Sequence, residues 1–298
     1  MENKNISQLE ELEQERKSVN KKSKIGYAIA IGLIVVGIAC FFWIPFLMFI
    51  FMPIAIVLVI VTSSKVNKFR KKFKELVVKK LIKEELGVDA VYKMNGGISI
   101  SEINSLKVAR SPDRYRTEDY ISCTYNGVPY EMCDCVLEEE YQTTDSNGHT
   151  QTSYQTYFKG RVIKIDFQRN LKIELKVVNH PTRGFQYKPL VPFETEVIEF
   201  NKTFKCYANS KEDAFYILTP IMIQKMQELE RMYKGGIYYV FTKGNLYILI
   251  NNSGDSLEVS VSKPLDEKQM NKIKSDILIG ASIINEFRMD SDKYNVDR

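Results

Sequence analysis

The sequence predicts an α+β protein, with an N-terminal two-helix transmembrane hairpin followed by a mainly antiparallel β domain with a few helices. Two observations carry this prediction. Ile25–Val61 holds 37 residues without a charge, and an apolar run of 18 residues or more is typical of a membrane span. From about residue 95 the hydrophobic period becomes two, and strands do not alternate with helices, which favours an antiparallel sheet.

Composition and charge exclude several classes of protein. A hydrophobic fraction of 44% and a charged fraction of 27% are typical of a folded chain. The net charge of +5 comes from the membrane flanks, because residues 88–298 carry 27 basic and 29 acidic side chains. A domain without a basic surplus has little to neutralise phosphates with, so we expect no nucleic-acid partner.

The apolar segment fits two helices better than one. A single helix of this length would measure about 55 Å, against a hydrocarbon core of about 30 Å. Pro45, after an aromatic cluster, favours a break there. We therefore expect a polar N-terminal helix over 1–24 and a hairpin over 25–62, with spans at about 25–42 and 46–62. One long tilted helix with the large domain outside is the alternative.

Both flanks of the apolar segment are basic. Lysines precede the first span, and residues 65–87 carry nine basic and three acidic side chains. Basic flanks stay in the cytoplasm, so an even number of spans with both termini inside is predicted.

Residues 65–87 form the predicted basic amphipathic helix. Apolar side chains recur there every three or four residues, and Gly87 is a typical residue for a helix C-terminus. The helix either lies on anionic headgroups or acts as a stalk that packs on the following domain. The candidate membrane-surface residues are Lys65, Lys68, Arg70, Lys71, Lys72 and Lys74.

The domain over 88–298 begins with strands. The Asn126-Gly127 pair predicts a hairpin turn between two strands. A polar loop is expected over 143–156. Further strands are expected at 157–167, 171–178, 195–200 and 203–207.

Helices and one more hairpin follow. Ser210 is a predicted N-cap, and Pro220 begins a second helical piece that ends near Met232. A hairpin over 237–250 precedes a possible edge strand at 256–261, and a last helix begins near Pro264.

Motifs that carry chemistry are absent from the sequence. It has no Gly-rich phosphate loop, no nucleophile elbow and no zinc-binding His pair. We therefore predict no catalytic, cofactor-binding or metal-binding residues and no cofactor. The Cys133/Cys135 pair is interpreted as small apolar filler, and the Glu138–Glu140 run as a solvated rim. The lone loop residues His149 and His180 are interpreted as turn residues.

The most distinctive stretch is Phe200-Asn-Lys-Thr-Phe-Lys-Cys-Tyr207 followed by Asp213-Ala-Phe-Tyr-Ile-Leu-Thr-Pro220. Here the chain resembles a family of bacterial membrane proteins known as domain of unknown function 3137. The resemblance covers most of 90–260 and includes the Phe158-Lys159-Gly160 strand start. It implies a bacterial inner-membrane protein with a cytosolic domain, and no assigned activity. The residues that carry the resemblance, interpreted as a fold signature rather than a ligand site, are Phe200, Asn201, Phe204, Leu218, Thr219 and Pro220.

Three functions remain open on the sequence. The first is a non-enzymatic membrane-anchored adaptor whose β-rich domain binds a protein partner through an aromatic cluster or a free sheet edge. The second is a lipid or small-ligand binding module held on the membrane by the basic helix. The third, an enzyme acting on a membrane-borne substrate, is the weakest, because no catalytic constellation is found. Membrane lipids are expected partners in each, and a homo-oligomer is possible.

Overall fold

A computed structural model describes residues 2–41, 44–146, 148–166, 173–233 and 235–290. The chain forms two compact units. The helical unit comprises the residues up to Leu81 together with Leu257–Lys274. The sheet unit comprises Ile82–Ser256 and the residues from Ser275. The last helix, α8, begins in the first unit and ends in the second.

The helical unit is built on two long helices. Helix α1 spans Glu2–Phe41, so the predicted polar helix and first span are one element. A 3₁₀ turn at Pro45–Leu47 leads into α2, Met48–Phe73, and Pro53 lies inside this helix. A π-helical turn at Lys74–Val78 and α3, Lys79–Leu86, continue it. Gly87 follows with a φ of +98°, which confirms its predicted place at the helix end.

The two helices form an antiparallel hairpin. The Tyr27 and Ser63 hydroxyls lie 3.1 Å apart, and Lys72 reaches Glu15 at 2.5 Å. Residues earlier in α1 therefore contact residues later in α2, as antiparallel helices require. A methyl group on Gly26 would come within 2.5 Å of the Thr62 Oγ1, so this glycine allows close packing. Both helices are long and apolar enough to cross a bilayer, which favours membrane association.

The segment from Leu257 packs on the polar ends of the same helices. Arg16 donates to the Val261 carbonyl at 2.6 Å, and the Leu265 amide donates to Glu13 at 3.0 Å. Glu13 and Arg16 also pair at 2.7 Å. The polar end of α1 is therefore held by side-chain contacts to a part of the chain some 250 residues later.

The sheet unit contains one antiparallel nine-stranded sheet among the described residues, in the order β1-β2-β3-β4-β9-β8-β5-β7-β6. This confirms the predicted fold class. The strands are β1 Val91–Lys93, β2 Arg114–Tyr125, β3 Val128–Thr144, β4 Thr150–Asp166, β5 Leu175–Val178, β6 Val191–Phe193, β7 Lys205–Ala208, β8 Gly236–Thr242 and β9 Asn245–Asn251.

Short helices complete the unit. They are α4 Ile100–Ser105, α5 Ile198–Thr203, α6 Lys211–Ile217 and α7 Pro220–Met232. The longer helix α8, Glu267–Glu286, belongs to this unit from Ser275 onward. One face of the sheet carries a buried core that includes Ile103 of α4, Cys133, Phe158 and Leu249. On the other face, the Tyr239 hydroxyl donates to Met226 of α7 at 3.3 Å.

Several local predictions are confirmed. Asn126 and Gly127 both have positive φ, as the hairpin turn between β2 and β3 requires. Ser210 and Thr219 accept hydrogen bonds from amides three residues later and cap α6 and α7.

Other local predictions are wrong. The 143–156 loop is mostly strand, because polar residues there pair across β3 and β4, as Thr144 does with Thr150. Residues 195–200 are not a strand, since they lead into α5. Residues 256–261 form no strand. The predicted strand at 171–178 is seen over β5, and residues 167–172 lie outside the described part.

Candidate functional site

The first half of the signature stretch shapes the start of α5. The rings of Phe200 and Phe204 stack at 4.8 Å and are buried. The Asn201 side chain accepts from the Thr195 amide at 2.9 Å and donates to the Thr195 carbonyl at 2.7 Å. These side-chain bonds to the backbone favour a turn over a strand, which explains the failed strand prediction.

The second half of the signature joins α6 to α7. Leu218 follows α6 in the sequence, and its side chain is buried. Thr219 accepts a hydrogen bond from the Met222 amide at 3.3 Å, and Pro220 occupies the first turn of α7. A proline suits that position because its missing N–H would have no intrahelical partner. The contacts described for these signature residues are structural ones, and their interpretation as a fold signature stays a prediction.

Strand β6 and helices α5 and α6 also carry exposed apolar side chains. Val191 of β6 is 63% exposed, Ile198 of α5 is 70% exposed and Tyr216 of α6 is 50% exposed. Phe193 of β6 and Phe215 of α6 meet ring edge to face at 5.6 Å, which links the strand to the helix. We call Val191, Phe193, Ile198, Phe215 and Tyr216 the apolar patch.

The patch adjoins an open edge of the sheet. Strand β6 is last in the strand order and pairs on one side with β7. Its central residue is Pro192, which has no N–H to donate, so β6 has little capacity to add another strand. A partner at this edge would therefore contact side chains more than backbone.

An acidic rim borders the patch. Residues 194–199 contain Glu194, Glu196 and Glu199 and no basic residue, and all three glutamates are exposed. Glu199 pairs with Lys202 at 2.7 Å. Among the described residues, Glu194 and Glu196 form no ion pair. The patch and rim together suit a partner surface with an apolar centre and a basic border.

Sequence reasoning missed the patch. The sequence contained one signal for it. Val197, Ile198 and Phe200 lie within four residues, and a segment this short cannot bury all three apolar side chains. The α5 turn puts Phe200 inward and Ile198 outward. Without that turn, the run predicts a strand.

The predicted membrane-surface residues are only partly available for lipid. Lys74 does not fit the predicted role of a membrane-surface residue, because its side chain is buried and pairs with Glu258 at 2.6 Å within the helical unit. Arg70 is half-buried and lies 3.2 Å from the same carboxylate, and Lys72 pairs with Glu15 at 2.5 Å. Lys65, Lys68 and Lys71 are exposed.

A groove runs between α1 and α2 at their basic ends. Its volume is about 420 Å³. Four lysines line it against one acid, together with Val19, Thr62 and Phe69: they are Lys22, Lys65, Lys68 and Lys72, and the acid is Glu15, which pairs with Lys72. The groove joins cationic heads to an apolar wall, a combination that suits an anionic amphiphile.

The cysteine pair is inert. Cys133 and Cys135 are buried and free, which supports the prediction of apolar filler. Burial raises the pKa of the Cys133 thiol to about 12 and raises that of Cys135 as well. Thiols held protonated at neutral pH are poor nucleophiles and poor metal ligands.

The acidic run at 138–140 is not a solvated rim. Glu138 and Glu139 are buried, and each is held by arginines. Arg116 lies 2.9 Å from Glu138, while Arg110 and Arg183 both contact Glu139. These ion pairs surround two buried carboxylates in the interior of β3.

One other group of carboxylates could hold a cation by geometry. Ligand oxygens of Glu118, Asp119 and Asp255 lie within 4.8 Å of one another. Asp119 already accepts from the Tyr92 hydroxyl at 2.6 Å, and Lys159 lies 4.0 Å from Asp255. These contacts give buried Asp119 and half-buried Asp255 partners within the protein.

Comparisons with known proteins give one family match and one structural neighbour. No curated protein matches the chain. Among solved structures, the mycobacterial trehalose monomycolate transport factor A, TtfA, aligns with 70% of this chain and 93% of its own, at 7% sequence identity and a TM-score of 0.39. A TM-score this low assigns neither fold nor activity to this chain.

The family comparison agrees with the resemblance seen in the sequence. The match covers residues 156–289, which hold both halves of the signature stretch, the apolar patch and the acidic rim. Residues 156–289 match the family described as protein of unknown function (DUF3137).

Proposed function

We propose that this protein is a non-enzymatic, membrane-anchored adaptor whose β-rich domain binds a protein partner through the apolar patch. In this proposal the two apolar helices span the bacterial inner membrane as a hairpin, and both termini lie in the cytoplasm. The observation that carries the proposal is the exposed apolar patch beside an open sheet edge. Exposed apolar clusters with a polar rim are typical of protein–protein contacts.

The chemistry of the partner follows from the rim. Glu194 and Glu196 are exposed and unpaired among the described residues. A basic border on the partner would match them, while its apolar centre would cover Ile198 and Tyr216. Phe200 and Phe204, close in sequence to Ile198, stack on one another and are buried, so this segment is packed on its inner side before a partner arrives.

Site-specific crosslinking in the host membrane tests this proposal. A benzophenone amino acid replaces Ile198 in one variant and Tyr154, an exposed residue of β4, in another. We expect a single discrete protein adduct from position 198 and none from position 154. No adduct at 198, or the same adduct at both positions, would contradict the proposal.

Charge reversal then tests the rim. E194K/E196K should weaken capture of the crosslinked protein, and I198E should reduce its affinity roughly 30-fold, the effect of losing about 2 kcal/mol at a central contact. Glu267→Lys, at an exposed position of the helical unit, is the matched control and should leave capture unchanged.

The groove between α1 and α2 favours a second function, the binding of an anionic lipid. Each lysine near an anionic surface contributes about 1 kcal/mol, so K65Q/K68Q should lower retention of such a lipid roughly 30-fold. Native mass spectrometry of the detergent-purified chain with added phosphatidylglycerol measures this. K202Q/K205Q, in the sheet unit, is the control. If K65Q/K68Q retained the lipid as well as K202Q/K205Q does, the groove would not be the lipid-binding site.

A further inference from the structure

Lys176 of β5 is a buried lysine that has no carboxylate partner among the residues that the structure describes. It is 8% exposed, and its Nζ donates to the Gln186 carbonyl at 2.8 Å. The ammonium also lies 5.6 Å from the centre of the Phe185 ring. An ammonium has three N–H donors, and among the described residues one acceptor is in place.

The surroundings make this charge expensive. Burial, together with the positive charge of Lys107, lowers the pKa of Lys176 to about 8. The side chain therefore carries its proton at neutral pH despite poor compensation. Buried ammonium groups in proteins are ordinarily paired with an anion.

A cavity opens beside Lys176. Its volume is about 120 Å³, which gives room for several water-sized groups. Exposed Lys107 and Lys188 line it as well, and Tyr187 forms part of its wall. The Tyr187 ring stacks on Tyr207 at 4.6 Å, which fixes that wall.

The net charge around the cavity is positive. Three lysines line it against one carboxylate, Glu174. Glu174 raises the pKa of Lys176 only as a minor influence, and no ion pair joins the two among the described residues. The cavity thus has cationic donors and no anion of its own in contact with the buried lysine.

We propose that this cavity binds a small oxyanion, a phosphate or carboxylate group, with Lys176 at its base and Lys107 and Lys188 around it. The oxyanion accepts the N–H groups that the protein leaves without acceptors. Charge-assisted hydrogen bonds of this kind are the strong ones. This binding is separate from the partner surface of the apolar patch.

Calorimetric titration of the full chain in detergent tests the proposal. Inorganic phosphate and acetate are titrated separately at neutral pH, with chloride matching the ionic strength. We expect saturable binding of at least one of them, and about tenfold or greater weakening in K176M, the effect of losing a hydrogen bond to a charged group. K205M, an exposed lysine on the neighbouring strand β7, is the matched control and should bind as the parent does.

A second variant protects the test against misfolding. K107Q changes an exposed residue and should weaken binding severalfold without loss of structure. Phosphate binding alone or acetate binding alone would support the proposal and assign the class of oxyanion. Binding of neither above the chloride background, or equal binding by K176M and the parent, would overturn it.

Discussion

Replacing Asp134 with alanine should lower the free energy of unfolding by about 3–5 kcal/mol, because it removes the carboxylate that the buried guanidinium of Arg161 binds directly. Asp134 accepts from Arg161 at 2.9 Å, and both side chains are almost fully buried. Asp134 also accepts from the Ser256 amide at 2.7 Å, so the variant loses two acceptors at once. Urea denaturation followed by near-ultraviolet circular dichroism of the tyrosines measures the loss.

The matched control removes both charges. D134L/R161L should recover most of the lost stability, since a buried ion pair replaced by apolar side chains is often neutral or better. If D134A costs less than about 1 kcal/mol, water must reach Arg161, and the buried-pair account is wrong.

Gly160→Ala should cost about 3 kcal/mol or more, since the added methyl group would overlap the Ile250 carbonyl oxygen of β9. The obstacle is backbone, which cannot rotate away as a side chain can. Gly160 pairs with Asn251 where β4 meets β9, so the clash forces the central strands of the sheet apart. Thermal unfolding of the purified chain measures the effect.

Gly148→Ala separates close approach from backbone conformation. Gly148 has a φ of +85°, but nothing lies within 4 Å of a methyl group placed there. This variant should cost about 1–2 kcal/mol from conformation alone. Equal losses in G148A and G160A would show that close approach contributes nothing at β4.

The parts predictable from sequence are those governed by local physics. The uncharged run predicted the helical hairpin. The alternation of Ile173, Leu175 and Val177 predicted a strand in that region, but its expected wet face is wrong, because every residue of β5, Lys176 included, is buried. The caps at Ser210 and Thr219 depend on local geometry alone. At the start of a helix, the hydroxyl of an N-cap Ser or Thr lies within reach of the backbone amide three residues later.

The parts that failed depend on contacts between distant residues. Lys74 carries the same charge as its neighbours, and only Glu258, far along the chain, removes it from the surface. Glu138 and Glu139 are buried because arginines from outside β3 surround them. Ile198 is exposed because Asn201 binds Thr195 and turns the chain there. Spacing along the sequence contains none of these contacts.

The position of β4 has a consequence for synthesis on the ribosome. Strands β2, β3 and β4 are consecutive in the chain and adjacent in the sheet, but the next partner of β4 is β9. About 80 residues separate the end of β4 from β9, so at 5–20 residues per second a nascent chain waits roughly 4–16 seconds for it. During that interval the backbone groups of β4 that later pair with β9, among them those of Val162, Ile163 and Ile165, lack that partner strand. A chaperone that shields strand edges would act on this protein in that interval, before β9 leaves the ribosome.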